Sequence, residues 1–93
     1  MISRSQYKNI EPFVTKDGSL SRELMHPSQH NNTQQSLAEA IVAVGKKTQL
    51  HRHLKTEELY HISLGKGLMT LGAETFTVEQ GDTVCILPGT PHC

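Results

Sequence analysis

The sequence predicts an all-β fold, a sandwich or barrel of short antiparallel strands, on two observations. Short runs rich in β-branched and other apolar residues recur along the second half of the chain. Turn sequences that contain glycine separate these runs, and the clearest are Gly65-Lys66-Gly67, Gly72-Ala73-Glu74 and Glu79-Gln80-Gly81-Asp82. No internal repeat or second domain is visible, so the 93 residues are expected to form one domain.

The first part of the chain carries weaker signals. No period is evident before Pro12, where we expect a short turn or strand, and residues 16–19 are typical of a turn. Residues 20–26 are compatible with an edge strand that has polar residues on one face. Residues 27–35 are almost free of apolar side chains and are expected to form a mobile loop.

Residues 36–44 are compatible with either a helix or a strand. Alanine and glutamate favour a helix, whereas the run Ile41-Val42-Ala43-Val44 before Gly45 favours a strand. We assign a strand because every later segment is one. The later strands are expected at Thr48–His53, Glu58–Leu64, Leu68–Leu71, Thr75–Val78 and Thr83–Leu87, with a hairpin turn at Gly65-Lys66-Gly67 and with Cys85 as a buried small apolar side chain.

The composition argues against several classes of partner. Nine basic and nine acidic residues give a formal charge of zero, without a basic patch, so nucleic acid is not expected as a partner. No apolar run approaches membrane-spanning length, and the N-terminus lacks the apolar segment of a signal peptide. Two cysteines are too few for a disulfide scaffold, which favours a reduced, cytoplasmic protein.

The hydrophobic fraction of 35% is low for a domain of this size. A small domain buries a modest share of its surface, so its stability is marginal. We therefore expect a homodimer, which would cover more apolar surface.

Residues 51–58 contain a candidate metal site. His51 and His53 are two residues apart in a predicted strand, so both imidazoles leave the same face of the sheet. In the next strand, Glu58 shares the mostly apolar, inward face with Tyr60, whereas Glu57 points outward. The alternation therefore favours Glu58 over Glu57 as the carboxylate ligand.

A fourth candidate ligand, His92, stands at the far end of the chain after Pro88-Gly89-Thr90-Pro91. Three imidazoles and one carboxylate suit Fe²⁺, Mn²⁺, Ni²⁺, Zn²⁺ or Cu²⁺, and an octahedral ion would keep two positions open for a small ligand. The other histidines, His26, His30 and His61, are interpreted as surface or satisfied core residues. A lone histidine is more often structural than a ligand.

The segment from Gly45 to Gly65 resembles the first motif of the cupin family. That motif reads Gly, five residues, His-x-His, three or four residues, Glu, six residues, Gly, and it places the histidines at His51 and His53 and the glutamate at Glu58. The spacing matches throughout, with four residues between His53 and Glu58.

The segment from Gly81 to His92 is similar to the second cupin motif, Gly, five residues, Pro-x-Gly, two residues, His. Leu87 occupies the place of the first proline, while Gly89 and His92 fall in place. The resemblance implies a cupin-type jelly-roll β-barrel of two antiparallel sheets, and it implies that His51, His53, Glu58 and His92 bind one metal ion. Residues 1–35 would then supply N-terminal strands and the mobile loop, and residues 36–93 the metal-binding barrel core.

Cupins usually continue beyond the last histidine with an asparagine and at least one more strand, whereas this sequence stops at Cys93. We therefore expect a barrel without its last strand or strands. Three interpretations remain open: a chain that has been shortened, a partner chain that supplies the strand, or an incomplete barrel with an open sheet edge.

Three hypotheses follow from the resemblance, one of which is a structural remnant whose site is incomplete because the sequence ends early. The first is a metal-dependent enzyme with oxygenase, isomerase or lyase chemistry on a small polar molecule, in which Glu58 and Tyr60 are candidate catalytic residues. The alternative is a non-catalytic module that binds a metal or a small ligand. Fold alone does not decide between them, because one barrel can support many activities.

Overall fold

The structure is a computed structural model that describes residues 3–93. The chain divides into two compact units, Met1–Thr48 and Gln49–Cys93. Both units are built from antiparallel strands, and the only helical element among the described residues is a single 3₁₀ turn, so the all-β class is confirmed. The strands of residues 3–93 form three separate sheets, of three, two and two strands. The predicted single domain, with its inner boundary between residues 35 and 36, stays a prediction.

The first unit contains a 3₁₀ turn, Tyr7–Asn9, followed by strands β1, Phe13–Val14, β2, Leu20–Met25, and β3, Leu37–Ile41. The three strands form one sheet in the order β1-β2-β3. Strand β2 is therefore central in this sheet, and the predicted edge position was wrong. The polar residues of β2 do not indicate an edge strand, because Ser21 is buried and Arg22 pairs with Glu39 of β3 at 3.0 Å.

A small cluster of Tyr7, Arg22 and Glu39 connects the 3₁₀ turn to this sheet. The Tyr7 hydroxyl donates a hydrogen bond to Glu39 Oε1 over 2.7 Å, and the Arg22 guanidinium lies 4.7 Å from the centre of the Tyr7 ring. The hydrogen bond to Glu39 raises the pKa of Tyr7, while the positive charge of Arg22 opposes that shift. The hydrogen bond between Tyr7 and Glu39 is exposed, so its contribution to stability is small.

The second unit contains strands β4, Glu58–His61, β5, Lys66–Leu71, β6, Glu74–Glu79, and β7, Thr83–Ile86. Strand β4 pairs with β7, and β5 pairs with β6 through a tight turn at Gly72, whose φ of +60° suits glycine. Residues 92 and 93 extend the pairing of β5, since Thr70 and Cys93 exchange backbone hydrogen bonds of 2.9 and 3.1 Å. The chain beyond β7 thus returns along the edge of the β5–β6 hairpin.

The core of the second unit is small. Met69, Val78 and Ile86 are buried, and partly buried residues pack against them: Tyr60, Ile62, Leu71, Phe76 and Val84. Successive strand residues point to opposite faces, so each strand supplies alternate residues to this core. The inward face of the predicted strand Glu58–Leu64, which contains Tyr60 and Ile62, is the face that packs here.

Three detailed predictions for residues 48–86 were wrong. Residues 48–53 form no strand, because only His51 takes part in a β-bridge there. The turn at residues 65–67 does not close a hairpin, because β4 and β5 pair with different strands. Cys85 is exposed, since the alternation of β7 turns Val84 and Ile86 inward and the residue between them outward.

Within residues 3–93, no helix is long and apolar enough to cross a membrane.

Candidate metal centre

Three imidazoles converge in the second unit, and they belong to His51, His53 and His92. One potential ligand atom from each lies within 4.8 Å of the other two. His51 and His92 form an isolated antiparallel bridge, with backbone hydrogen bonds of 3.1 and 2.9 Å in the two directions. Their ring centres are 4.3 Å apart, while the His53 ring lies 5.6 Å from His51 and 6.0 Å from His92. Backbone hydrogen bonds between His51 and His92 thus join the Gly45–Gly65 motif to the Gly81–His92 motif.

The Glu58 carboxylate lies between two of these rings. Its Oε1 is 3.1 Å from Nε2 of His53, and its Oε2 is 3.5 Å from Nε2 of His92. Strand pairing places Glu58 opposite Ile86, at the inward-facing start of β4. Glu57, the alternative carboxylate, is exposed, as the alternation along the strand predicts.

Two buried atoms of this cluster lack hydrogen-bond partners among the described residues, namely Glu58 Oε2 and His92 Nε2. A buried polar atom without a partner costs about 1–3 kcal/mol, and more when it is charged. Both atoms are electron-pair donors, so a cation between them would satisfy both at once. This pair of unsatisfied atoms shows that the residues present fit a bound metal ion.

Backbone carbonyls fix the orientation of two rings. Nδ1 of His51 lies 2.9 Å from the carbonyl oxygen of Gln49, and Nδ1 of His92 lies 2.9 Å from that of Thr90. A carbonyl oxygen only accepts, so each Nδ1 carries a proton and, in the neutral ring, Nε2 offers its lone pair. His51 and His92 are therefore held in the tautomer whose Nε2 lone pair could bind a metal ion.

Sequence reasoning missed this pair of carbonyl contacts. In each case the acceptor belongs to the residue two positions before the histidine. A backbone carbonyl carries no residue-type signal.

The Pro-Gly turn of the second motif holds the third histidine. The backbone N–H of Gly89 donates to the carbonyl of His53 over 2.7 Å. Gly89 has a φ of +82°, a left-handed conformation that side chains disfavour. The turn thus connects His53 to the segment that ends in His92.

We expect Gly89→Ala to lower the free energy of unfolding by roughly 1–2 kcal/mol, the usual cost of a left-handed alanine. An added Cβ would meet no atom within 4 Å, so the cost is conformational rather than steric. Gly67→Ala is the matched control, because Gly67 also has open space but an ordinary φ. Urea unfolding of both variants measures the difference; equal stability would contradict the assigned role of the turn.

Tyr60, a candidate catalytic residue, follows Glu58 on the inward face of β4. Its ring stands edge-on to the His92 ring, with the two centres 5.7 Å apart, and it also packs against the core. The side chain is therefore near the cluster, and it also belongs to the packing that supports the cluster.

The remaining histidines lie outside the cluster. His61 is exposed on the outer face of β4, where its Nδ1 is 2.8 Å from the Thr83 hydroxyl. In the first unit, Nδ1 of His26 accepts the N–H of Ser28, and Nδ1 of His30 accepts the N–H of His26. These contacts agree with the structural interpretation given to all three.

Two clefts lie away from the imidazoles. One, of about 700 Å³, is in the first unit and is bordered by Arg4, Phe13 and Glu23 among others. The other, of about 480 Å³, lies beside the β5–β6 hairpin. Neither cleft is lined by His51, His53, Glu58 or His92.

The motifs and the geometry define a small all-β protein with three clustered histidines. Comparison with known proteins identifies its family. The family profile described as a cupin domain matches residues 38–93. An uncharacterized protein of Methanocaldococcus jannaschii is 55% identical over 91 residues, which cover 98% of this chain and 73% of that protein. No solved structure gives a significant match. The chain belongs to the cupin family.

Proposed function

We propose that the second unit binds one divalent transition-metal ion through His51, His53, Glu58 and His92, and that this centre acts on a small polar molecule. One observation supports the proposal above all others: the buried, unsatisfied pair of Glu58 Oε2 and His92 Nε2 within a group of three imidazoles. A purely structural cluster would leave that pair as an uncompensated cost.

The donor set supports a borderline divalent ion. Imidazole nitrogen and carboxylate oxygen suit Fe²⁺, Mn²⁺, Ni²⁺, Zn²⁺ and Cu²⁺ more than Mg²⁺ or Ca²⁺, which prefer oxygen ligands alone. Three neutral imidazoles and one carboxylate would leave a net charge of about +1 at the site. Such a charge favours small ligands that carry oxygen donors or a negative charge.

When bound, the metal would supply Lewis acidity and a template for a chelating ligand. The chain's own residues would do the rest. His51 and His92 would hold their Nε2 atoms in fixed positions through their Nδ1 contacts. Glu58 would supply negative charge and is the candidate proton acceptor. Tyr60, which stands edge-on to His92, is the candidate for orienting a substrate from the inner side.

The class of reaction is the finer part of the proposal. Oxygenase, isomerase and lyase chemistry remain the candidates, and a non-catalytic metal or ligand module is the alternative. A panel of small hydroxy acids and keto acids, assayed with the metal-loaded protein, would separate enzyme from module through oxygen uptake or substrate loss. The small-molecule partner, the homodimer and the cytoplasmic location remain predictions.

Purification without chelators, followed by elemental analysis, tests the metal site. We expect about one transition-metal ion per chain at neutral pH. Protons compete with the metal for imidazole nitrogen, so occupancy should fall as the pH is lowered from about 7 to about 4. A chain that stays free of metal when incubated with these ions, or an occupancy that does not change over this range, would contradict the proposal.

A further inference from the structure

We propose that His53 is the exchangeable ligand of this centre, and that metal and small ligands reach the site past its ring. His51 and His92 would then stay bound and keep the metal in place, while His53 releases and rebinds it. This inference rests on the proposed metal site, and it assigns different roles to three histidines that the sequence motif treats alike.

The side chains around the centre differ in exposure. The side chain of His92 is 0% exposed, that of Glu58 is 31% exposed, and that of His53 is 47% exposed. An ion between these groups would be covered on the His92 side and accessible on the His53 side. A molecule from solvent would therefore meet the His53 ring first.

The three imidazole rings also differ in how the backbone holds them. Carbonyl oxygens fix Nδ1 of His51 and of His92, each at 2.9 Å. Among residues 3–93, no backbone carbonyl holds the His53 ring in this way. The backbones of His51 and His92 are also joined by two mutual hydrogen bonds, whereas His53 has a single loop contact, from Gly89. The His53 ring can therefore rotate without breaking the bridge that carries the other two ligands.

Glu58 contacts both sides of the cluster, since its Oε1 lies 3.1 Å from His53 Nε2 and its Oε2 lies 3.5 Å from His92 Nε2. If the His53 ring turned away, Glu58 Oε2 and His92 Nε2 would remain next to each other.

Cobalt(II) is a suitable probe, because its visible spectrum reports its ligands. The experiment compares the wild-type chain with His53→Ala and His51→Ala, each checked for folding by circular dichroism. Equilibrium affinity and the rate of Co²⁺ release to an excess of chelator are measured for each. We expect His53→Ala to keep one Co²⁺ with an affinity loss of no more than about 10- to 100-fold, comparable with the loss of a supporting hydrogen bond, and to release it faster. His51→Ala should lose binding altogether.

A second readout is independent of metal. In the metal-free protein, ¹⁵N NMR of the imidazoles should report the proton on Nδ1 for His51 and His92, and a mixture of both tautomers for His53, whose Nδ1 no backbone carbonyl among residues 3–93 holds. Equal affinity losses in the two variants, Co²⁺ release from His53→Ala at the wild-type rate, or the same tautomer in all three rings would overturn this inference alone. A wild-type chain that binds no Co²⁺ would instead overturn the proposed metal site, and the inference with it.

Discussion

Replacing His92 by alanine should abolish metal binding, with a loss of affinity greater than about 100-fold, the upper range for merely losing a supporting hydrogen bond. His92 is the most deeply placed of the candidate ligands, and its side chain is fully buried. Its Nε2 faces Glu58 Oε2 at 3.5 Å and has no other partner among the described residues. Removal of the imidazole would therefore take away a preset ligand and leave Glu58 Oε2 still unsatisfied. Isothermal titration with Zn²⁺ measures the change.

The matched control is His61→Ala. His61 lies on the opposite face of β4 and contacts Thr83 rather than the cluster. Its replacement should leave the Zn²⁺ affinity within about threefold of wild type, since surface changes away from a site have small effects. If His92→Ala retained wild-type affinity while folded, the fourth ligand would be wrong. If His61→Ala lost binding to the same extent, general destabilisation would explain both.

The second large effect is expected in the core, where Ile86→Ala should lower the free energy of unfolding by about 2–5 kcal/mol. Ile86 is 2% exposed and belongs to a core cluster of three buried side chains. Small domains have a total stability of only about 5–15 kcal/mol, so this loss is a large fraction of the whole. Ile86 also pairs with Glu58 across the β4–β7 ladder, so the same substitution should weaken metal binding.

Leu87→Ala is the control for size and chain position. Leu87 follows Ile86 directly but is 59% exposed, so its truncation should change stability by less than about 0.5 kcal/mol. Urea unfolding of the metal-free protein gives both values from midpoint and slope. Similar losses for the two variants would show that Ile86 is not in the core, and would move the core assignment to other strands.

Alternation along single strands was predictable from the sequence. Period-two spacing separated Glu58 from Glu57 and placed Tyr60 on the packed face, and the structure has both arrangements. The same alternation was available for Cys85, which lies between two inward residues, but small size and apolar character suggested burial instead. The position of Cys85 in the strand, rather than its residue type, decided its exposure, because only one face of the β4–β7 pair meets the core.

Pairing between distant segments was not predictable in the same way. The run at residues 48–53 has strand character, yet only His51 is bridged there, because its partner is the short segment at His92. The turn at residues 65–67 has hairpin composition, yet it connects strands of different sheets. Local sequence specifies that a chain extends or turns, whereas the partner of each strand depends on the packing of the whole unit.

By itself, the sequence determined the all-β class, the family and the set of candidate ligands, because residue types and short spacings carry all three. The tertiary structure decided how those ligands differ. Folding placed His92 against His51 through a backbone bridge, buried it completely and left its Nε2 opposite Glu58, while His53 kept an exposed ring. Burial and hydrogen-bond partners are properties of neighbours in space, so no spacing along the chain could have ranked the three histidines.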